Sequence, residues 1–188
     1  NQQGSTDISA TEMTLSSGTT YTYTYTVQDS TGGTYIDGTA TSTISIAADY
    51  ASNVLTSVDN TFTIDTTKPT VQSFEIAQNA NTSGTVKAGA TTITVVMSEA
   101  VSTIPKITIN QLGTSDISET DMTSAGGNTY TYSYTVNMAD GSANIDGSVT
   151  AAISAAVDTF GNTMITDSSN TFTVNTTTPF VTDFTVTQ

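Results

Sequence analysis

The sequence predicts an all-β chain made of tandem seven-stranded antiparallel sandwiches, and three observations predict it. Apolar and polar residues alternate over short stretches bounded by Gly, Asp, Asn and Pro, with no helical period anywhere in the 188 residues. The stretch Asn60-Thr61-Phe62-Thr63-Ile64-Asp65-Thr66-Thr67-Lys68-Pro69 returns as Asn170-Thr171-Phe172-Thr173-Val174-Asn175-Thr176-Thr177-Thr178-Pro179. The intervening residues repeat as well. Ile8, Met13, Tyr21, Tyr23, Tyr25, Val27, Ile36, Asp37, Gly38, Ile44, Asp49 and Asn53 recur 109 positions later as Ile117, Met122, Tyr130, Tyr132, Tyr134, Val136, Ile145, Asp146, Gly147, Ile153, Asp158 and Asn162. After one inserted residue, Phe62, Pro69 and Phe74 match Phe172, Pro179 and Phe184 at an offset of 110. A period of that length is one small domain.

The repeat sets the boundaries. Residues 1–65 form the later part of one repeat, its first strands missing because Asn1 aligns with Asn110. Residues 66–70 are a linker, 71–175 a complete repeat, and 176–188 a second linker with the first strand of a following repeat. In the complete repeat, 71–78 is a strand with Phe74 and Ile76 on one face, and 79–90 a polar loop. Residues 91–98 point Ile93, Val95 and Met97 inward, and Ile107 and Ile109 alternate after Pro105. A short strand near 116–123 precedes the clearest one, 129–137, where Tyr130, Tyr132, Tyr134 and Val136 oppose Thr131, Ser133 and Thr135. Residues 148–157 turn Val149, Ala151 and Ile153 inward, and 170–174 closes the unit. The Thr rows are what an exposed antiparallel face prefers.

Seventeen acidic residues against three lysines give a net charge of -14, which excludes nucleic acid and anionic membrane as partners and favours cations. With no cysteine there is neither a disulfide frame nor a thiolate metal site. No apolar run approaches the roughly 20 residues of a membrane span. Without His, Cys or Arg, and with no distinctively spaced carboxylate pair or Ser/Lys arrangement, the chain offers nothing that reads as a catalytic constellation, so no enzyme is expected.

Three short motifs carry a family resemblance: the turn Ser98-Glu99-Ala100-Val101, the loop Asp158-Thr159-Phe160-Gly161-Asn162, and the linker Asp65-Thr66-Thr67-Lys68-Pro69. Together they resemble the immunoglobulin-like repeats of very large bacterial surface adhesins and surface-layer-type proteins, over the whole chain. The resemblance implies a stalk of stacked immunoglobulin-like sandwiches in an extracellular location on the bacterial surface. The chain departs from that pattern in two places. The first copy has Asp49-Tyr50-Ala51-Ser52-Asn53 with no glycine, and Asn175 stands where the first linker has Asp65.

In a seven-stranded sandwich the loops after even-numbered strands share the end where the chain enters. Glu99, Asp158 and Asn162 are therefore expected at the top of the complete repeat beside Asp65 of the incoming linker, and Asp29 and Asp37 at the bottom of the first repeat. Such oxygens suit Ca²⁺; the competing reading is that Asp and Gly serve turn geometry alone. Two roles are consistent with this. One is a non-catalytic spacer in a cell-surface adhesin, stiffened by calcium at its junctions, with the neighbouring repeats as partners. The other is a subunit of a surface layer or filament, in which 180–188 of one chain completes the first repeat of another by strand donation; the competing explanation is that neighbouring residues of a longer polypeptide complete both incomplete repeats.

Overall fold

The computed structural model describes residues 8–30, 35–79 and 83–188. The start of the first expected repeat, 1–7, and the stretches 31–34 and 80–82 lie outside them. The chain divides into two units, 1–67 and 68–188, so the division falls within the expected 66–70 linker. Among the described residues every regular element is a strand.

Among its described residues the second unit holds eleven strands: β5 (Val71–Ala77), β6 (Thr85–Val86), β7 (Gly89–Met97), β8 (Val101–Thr103), β9 (Lys106–Asn110), β10 (Ile117–Asp121), β11 (Thr123–Gly126), β12 (Thr129–Val136), β13 (Gly147–Ser154), β14 (Val157–Asp158) and β15 (Asp167–Val174). They form a sandwich-like pair of sheets, β10-β9-β13-β15-β6 and β11-β12-β7-β5, with β14-β8 as a short ribbon. Every pairing is antiparallel except β6 with β15.

The core lies between the sheets and follows the alternation of the sequence. Ile93, Val95, Met97, Tyr130, Tyr134 and Val136 come from one sheet, and Ile107, Ile109, Val149, Ala151, Ile153 and Phe172 from the other. Tyr132 is half-buried against this cluster, while Ser133 and Thr135 face outward. The Tyr134 ring meets Phe172 edge-on with centroids 5.9 Å apart, and its hydroxyl donates to Gln111 Oε1. Loss of solvent around Tyr134, helped by Tyr132, raises its pKa.

Two expectations were too coarse. The 79–90 stretch is more than a loop: it contains β6, which crosses to the other sheet and runs parallel to β15. The buried Gln78 amide makes that crossing possible by replacing strand hydrogen bonds. Its Nε2 donates to Lys87 O (2.8 Å) and Thr91 Oγ1 (3.0 Å), and its Oε1 accepts the Lys87 N–H (3.0 Å). The single strand expected near 116–123 is two, β10 in one sheet and β11 in the other, with the chain changing sheets at buried Met122. The segment 180–188, expected as a first strand, forms no strand, and Phe180, Val181, Phe184 and Val186 are exposed.

Among its described residues the first unit has two hairpin-like pairs, β1 (Thr14–Ser17) with β2 (Thr20–Thr22) and β3 (Gly38–Ile44) with β4 (Val58–Ile64). Over part of their length their registers reproduce those of the second unit; the shift between Ala151 and Ile153 in β13–β15 has no counterpart in β3–β4. Leu15 opposes Tyr21 as Ser124 opposes Tyr130, and Gly38 opposes Ile64 as Gly147 opposes Val174. Even the left-handed kink after the third of these strands recurs, at Ile46 (φ 57°) and Ala155 (φ 64°). Burial does not recur. Phe62 is 40% exposed where Phe172 is 3%, and Ile44 49% where Ile153 is 0%. The strands that cover these positions in the second unit, β5, β7 and β9, have no counterparts among the described strands of the first.

Candidate metal centre and its carboxylate loops

Glu99 follows β7 by two residues, and the β8–β14 ribbon sets Asp158 opposite Val101, so strand pairing carries both carboxylates to the end where β5 begins. Glu99 and Asp158 each offer an oxygen within 4.8 Å of the other. The incoming chain is pinned beside them: Thr70 N–H donates to Ser98 Oγ and Ser98 N–H to Thr70 O, both at 2.9 Å. Two carboxylates this close repel, and a cation between them would relieve that repulsion.

Asp158 is buried, and its oxygens are already engaged. Oδ1 accepts the Phe160 and Asn162 N–H groups at 2.8 Å each, and Oδ2 accepts Asn162 Nδ2 at 2.7 Å. The loop closes with Asp158 N–H on Asn162 O at 3.0 Å. Burial by itself would raise the Asp158 pKa. Hydrogen bonds from the Asn162 side chain and from the Asn162, Phe160 and Gly161 backbone outweigh it and hold the carboxyl below its ordinary range. Asn162, expected as a calcium ligand, thus spends its amide group on its own loop.

Among the described residues the same closure occurs three times. In Asp49–Asn53 and Asp140–Asn144, as in Asp158–Asn162, the Asp accepts from the backbone two and four residues on and from the Asn amide. These donors hold Asp140 at a pKa of about 2, the Asn144 N–H contributing most. In two of the three loops the fourth position is left-handed, whereas in Asp140–Asn144 the left-handed residue is Gly141. Gly161 holds that fourth position at φ 96°, and Ser52, its counterpart, at φ 67°. A side chain in that region is strained, so Ser52→Gly should stabilise the first unit by about 0.5–1 kcal/mol, and Gly161→Ala should destabilise the second by a similar amount. Urea titrations of both variants check this.

Asp37 proves to be the anchor of the linker. Its Oδ1 accepts Thr66 Oγ1 (2.8 Å), and its Oδ2 accepts Thr67 Oγ1 (2.6 Å) and the Thr67 N–H (3.0 Å), while Ser30 N–H donates to Thr66 Oγ1 (2.8 Å). Burial opposes ionisation here, but the Thr67 and Thr66 donors outweigh it and lower the Asp37 pKa. Asp146 repeats the arrangement on Thr176 and Thr177, with Ala139 in the place of Ser30. Asp29 is exposed. Asp65 accepts the Thr67 N–H at 3.1 Å, as Asn175 accepts that of Thr177 at 3.2 Å, so the exchange of Asp for Asn keeps the local bond and removes only the charge.

No family model, curated protein or solved structure matches the chain.

Of the six residues expected to bind metal, the structure brings Glu99 and Asp158 together within one unit and gives Asp158, Asn162 and Asp37 hydrogen-bonding roles. Sequence reasoning missed Asp140, Asn144 and Asp146. Two signals could have found them: Asp140 and Asn144 repeat the Asp158–Asn162 spacing, and Asp146 is the counterpart of Asp37.

Proposed function

We propose that the chain is a non-catalytic structural spacer from an extracellular bacterial cell-surface adhesin, built of tandem seven-stranded immunoglobulin-like sandwiches, with Ca²⁺ bound at the junction between repeats. The observation that carries the spacer reading is the repetition of strand register, loop closure and linker anchor from one unit to the next, since a chain that stacks copies of one rigid module sets length rather than chemistry. What supports calcium is the Glu99–Asp158 pair beside the pinned Thr70. Asp65 lies only five residues before that fixed point and would add a third carboxylate. Small-angle scattering and thermal melting of the chain, with Ca²⁺ and then with chelator, test it. Chelation should change the maximum dimension and lower Tm, and Glu99→Ala or Asp65→Ala should reproduce the effect in Ca²⁺. If neither quantity responds to chelator, calcium is not part of the joint.

A second reading is a layer or filament subunit assembled by strand exchange through the first unit. Tyr21 and Ile44 are about half exposed there, although their counterparts Tyr130 and Ile153 are buried. Residues 180–188 repeat 70–78, the β5 region, and carry Phe184 and Val186 on one parity. Pairing one chain's 180–188 with another's first unit would bury both surfaces. Light scattering should then show assemblies that fall to monomers when 180–188 are deleted; assemblies of unchanged mass would rule strand exchange out.

A further inference from the structure

We propose that the Lys87–Ala88 peptide bond is a cryptic cleavage site for a trypsin-like serine protease, held closed by the side-chain amide of Gln78. The inference goes beyond the spacer reading and does not depend on it, since the site lies wholly within residues 68–188.

A protease that cuts after lysine or arginine meets three candidate bonds in the whole chain, which has three lysines and no arginine. Lys68 is followed by Pro69, whose nitrogen carries no hydrogen and whose ring fills the leaving-group side of the cut. Lys106 begins β9, an inner strand. It opposes Asp121 of β10 on one side and Ser154 of β13 on the other, and the next residue, Ile107, is fully buried. Such proteases take a substrate as an extended strand laid along their own backbone, which a strand already paired on both sides does not offer. Lys87 differs from both. It is exposed, and with Ala88 it makes the two-residue connection between β6 and β7.

The position of the Gln78 amide closes this bond. A trypsin-like enzyme engages two backbone groups of the lysine it cuts after: the N–H, which pairs with the enzyme's main chain, and the carbonyl oxygen, which enters the oxyanion hole. Both are already taken. Gln78 Oε1 accepts the Lys87 N–H at 3.0 Å, and Gln78 Nε2 donates to Lys87 O at 2.8 Å. One side chain thus holds the two groups that the protease needs, in the pattern a neighbouring strand would use. Gln78 is itself 6% exposed, and Nε2 also donates to Thr91 Oγ1 at 3.0 Å, which fixes the plane of the amide. Upstream, Gly84 O accepts the Thr173 N–H (2.8 Å), Val86 O accepts the Asn175 N–H (2.9 Å), and the Val86 side chain is buried. The residues that would precede the cut in the protease cleft are therefore held as well.

Cleavage then requires a local opening in which Gln78 releases Lys87. The reaction is hydrolysis. The bond between the Lys87 carbonyl carbon and the Ala88 nitrogen breaks, and water supplies the hydroxyl of the new Lys87 carboxyl group and the hydrogen of the new Ala88 amine. The cut falls between β6 and β7, so it separates β5 and β6 from the rest of their unit. While the amide is in place, the chain persists among proteases of this class; when the corner opens, it is nicked at one position.

Trypsin digestion of the full chain, read by intact-mass spectrometry, tests this. The parent chain should survive at least about a hundredfold longer than a synthetic peptide of residues 83–92. Gln78→Met keeps the length of the side chain and removes the amide, and it should shorten survival about thirtyfold, the effect of the two Lys87 hydrogen bonds. Its first products should be 1–87 and 88–188, and adding Lys87→Gln should restore survival. Thr91→Val leaves both Lys87 bonds in place and should shorten survival by no more than about fivefold. Hydrogen exchange of the parent chain gives a test that needs no substitution and stands even if Gln78→Met fails to fold. The Lys87 N–H, whose partner is a side chain, should be protected at least about a hundredfold over the unfolded chain. A parent chain cut at Lys87 as fast as the peptide, a folded Gln78→Met chain cut no faster than the parent, or an unprotected Lys87 N–H would each overturn the proposal.

Discussion

Phe172→Ala is expected to destabilise the second unit by roughly 3–5 kcal/mol, and Phe62→Ala, at the matching position of the first unit, by about 1 kcal/mol. The two phenylalanines stand in the same local sequence and the same strand register, so β propensity and pairing are held constant between them. What differs is cover. Phe172 lies in the core against Tyr134 and is 3% exposed, so removing its ring leaves a cavity that the close-packed strands around it cannot fill. Phe62 is 40% exposed, with its ring edge-on to Tyr25 at 6.2 Å, and water can enter where its ring was. Hydrogen exchange resolved by unit measures both costs within one chain. Equal costs would mean that the first unit's face is covered in solution, which is what strand exchange between chains would produce.

Asp158→Ala should cost the second unit about 2–4 kcal/mol even with chelator present. The substitution leaves the Phe160 and Asn162 N–H groups and the Asn162 amide without their acceptor at a site only 1% exposed, where water does not readily replace it. Asp49 makes the same three bonds in an exposed loop, so Asp49→Ala should matter much less. The carboxyl of Asp158 titrates below its ordinary value of 3.8 when folded, so its contribution is present in full at neutral pH and fades as pH falls through the folded pKa. Denaturant melts with and without chelator decide between its two possible roles. If Asp158→Ala matches the parent chain once calcium is removed, the carboxylate works only through the ion and the loop closure contributes nothing.

These expectations also bear on the linker. Asp37 stood in the sequence as a candidate ligand because it is acidic and falls at a domain end. Its actual partners, Thr66 and Thr67, are 29 and 30 residues away. They could be recognised only from the recurrence of the whole set, Asp37 with Thr66 and Thr67 and Asp146 with Thr176 and Thr177. A hydroxyl next to a carboxylate leaves no periodicity, so hydrophobic alternation does not report it.

The sequence by itself determined the all-β class and the inward face of the long strands of the second unit, because alternation of side chains is a local property. Only the tertiary structure decided which strands lie side by side. β6 is two residues long and has no alternation to read, and its place beside β15 is set by the Gln78 network and the burial of Val86. Met122 turns the chain from one sheet to the other because its side chain fits between them, not because of any turn signal. Likewise Asp158 and Asp49 share a motif and a hydrogen-bond pattern, yet one is buried and the other exposed. Burial depends on what the rest of the chain lays over a residue, and no local pattern encodes that.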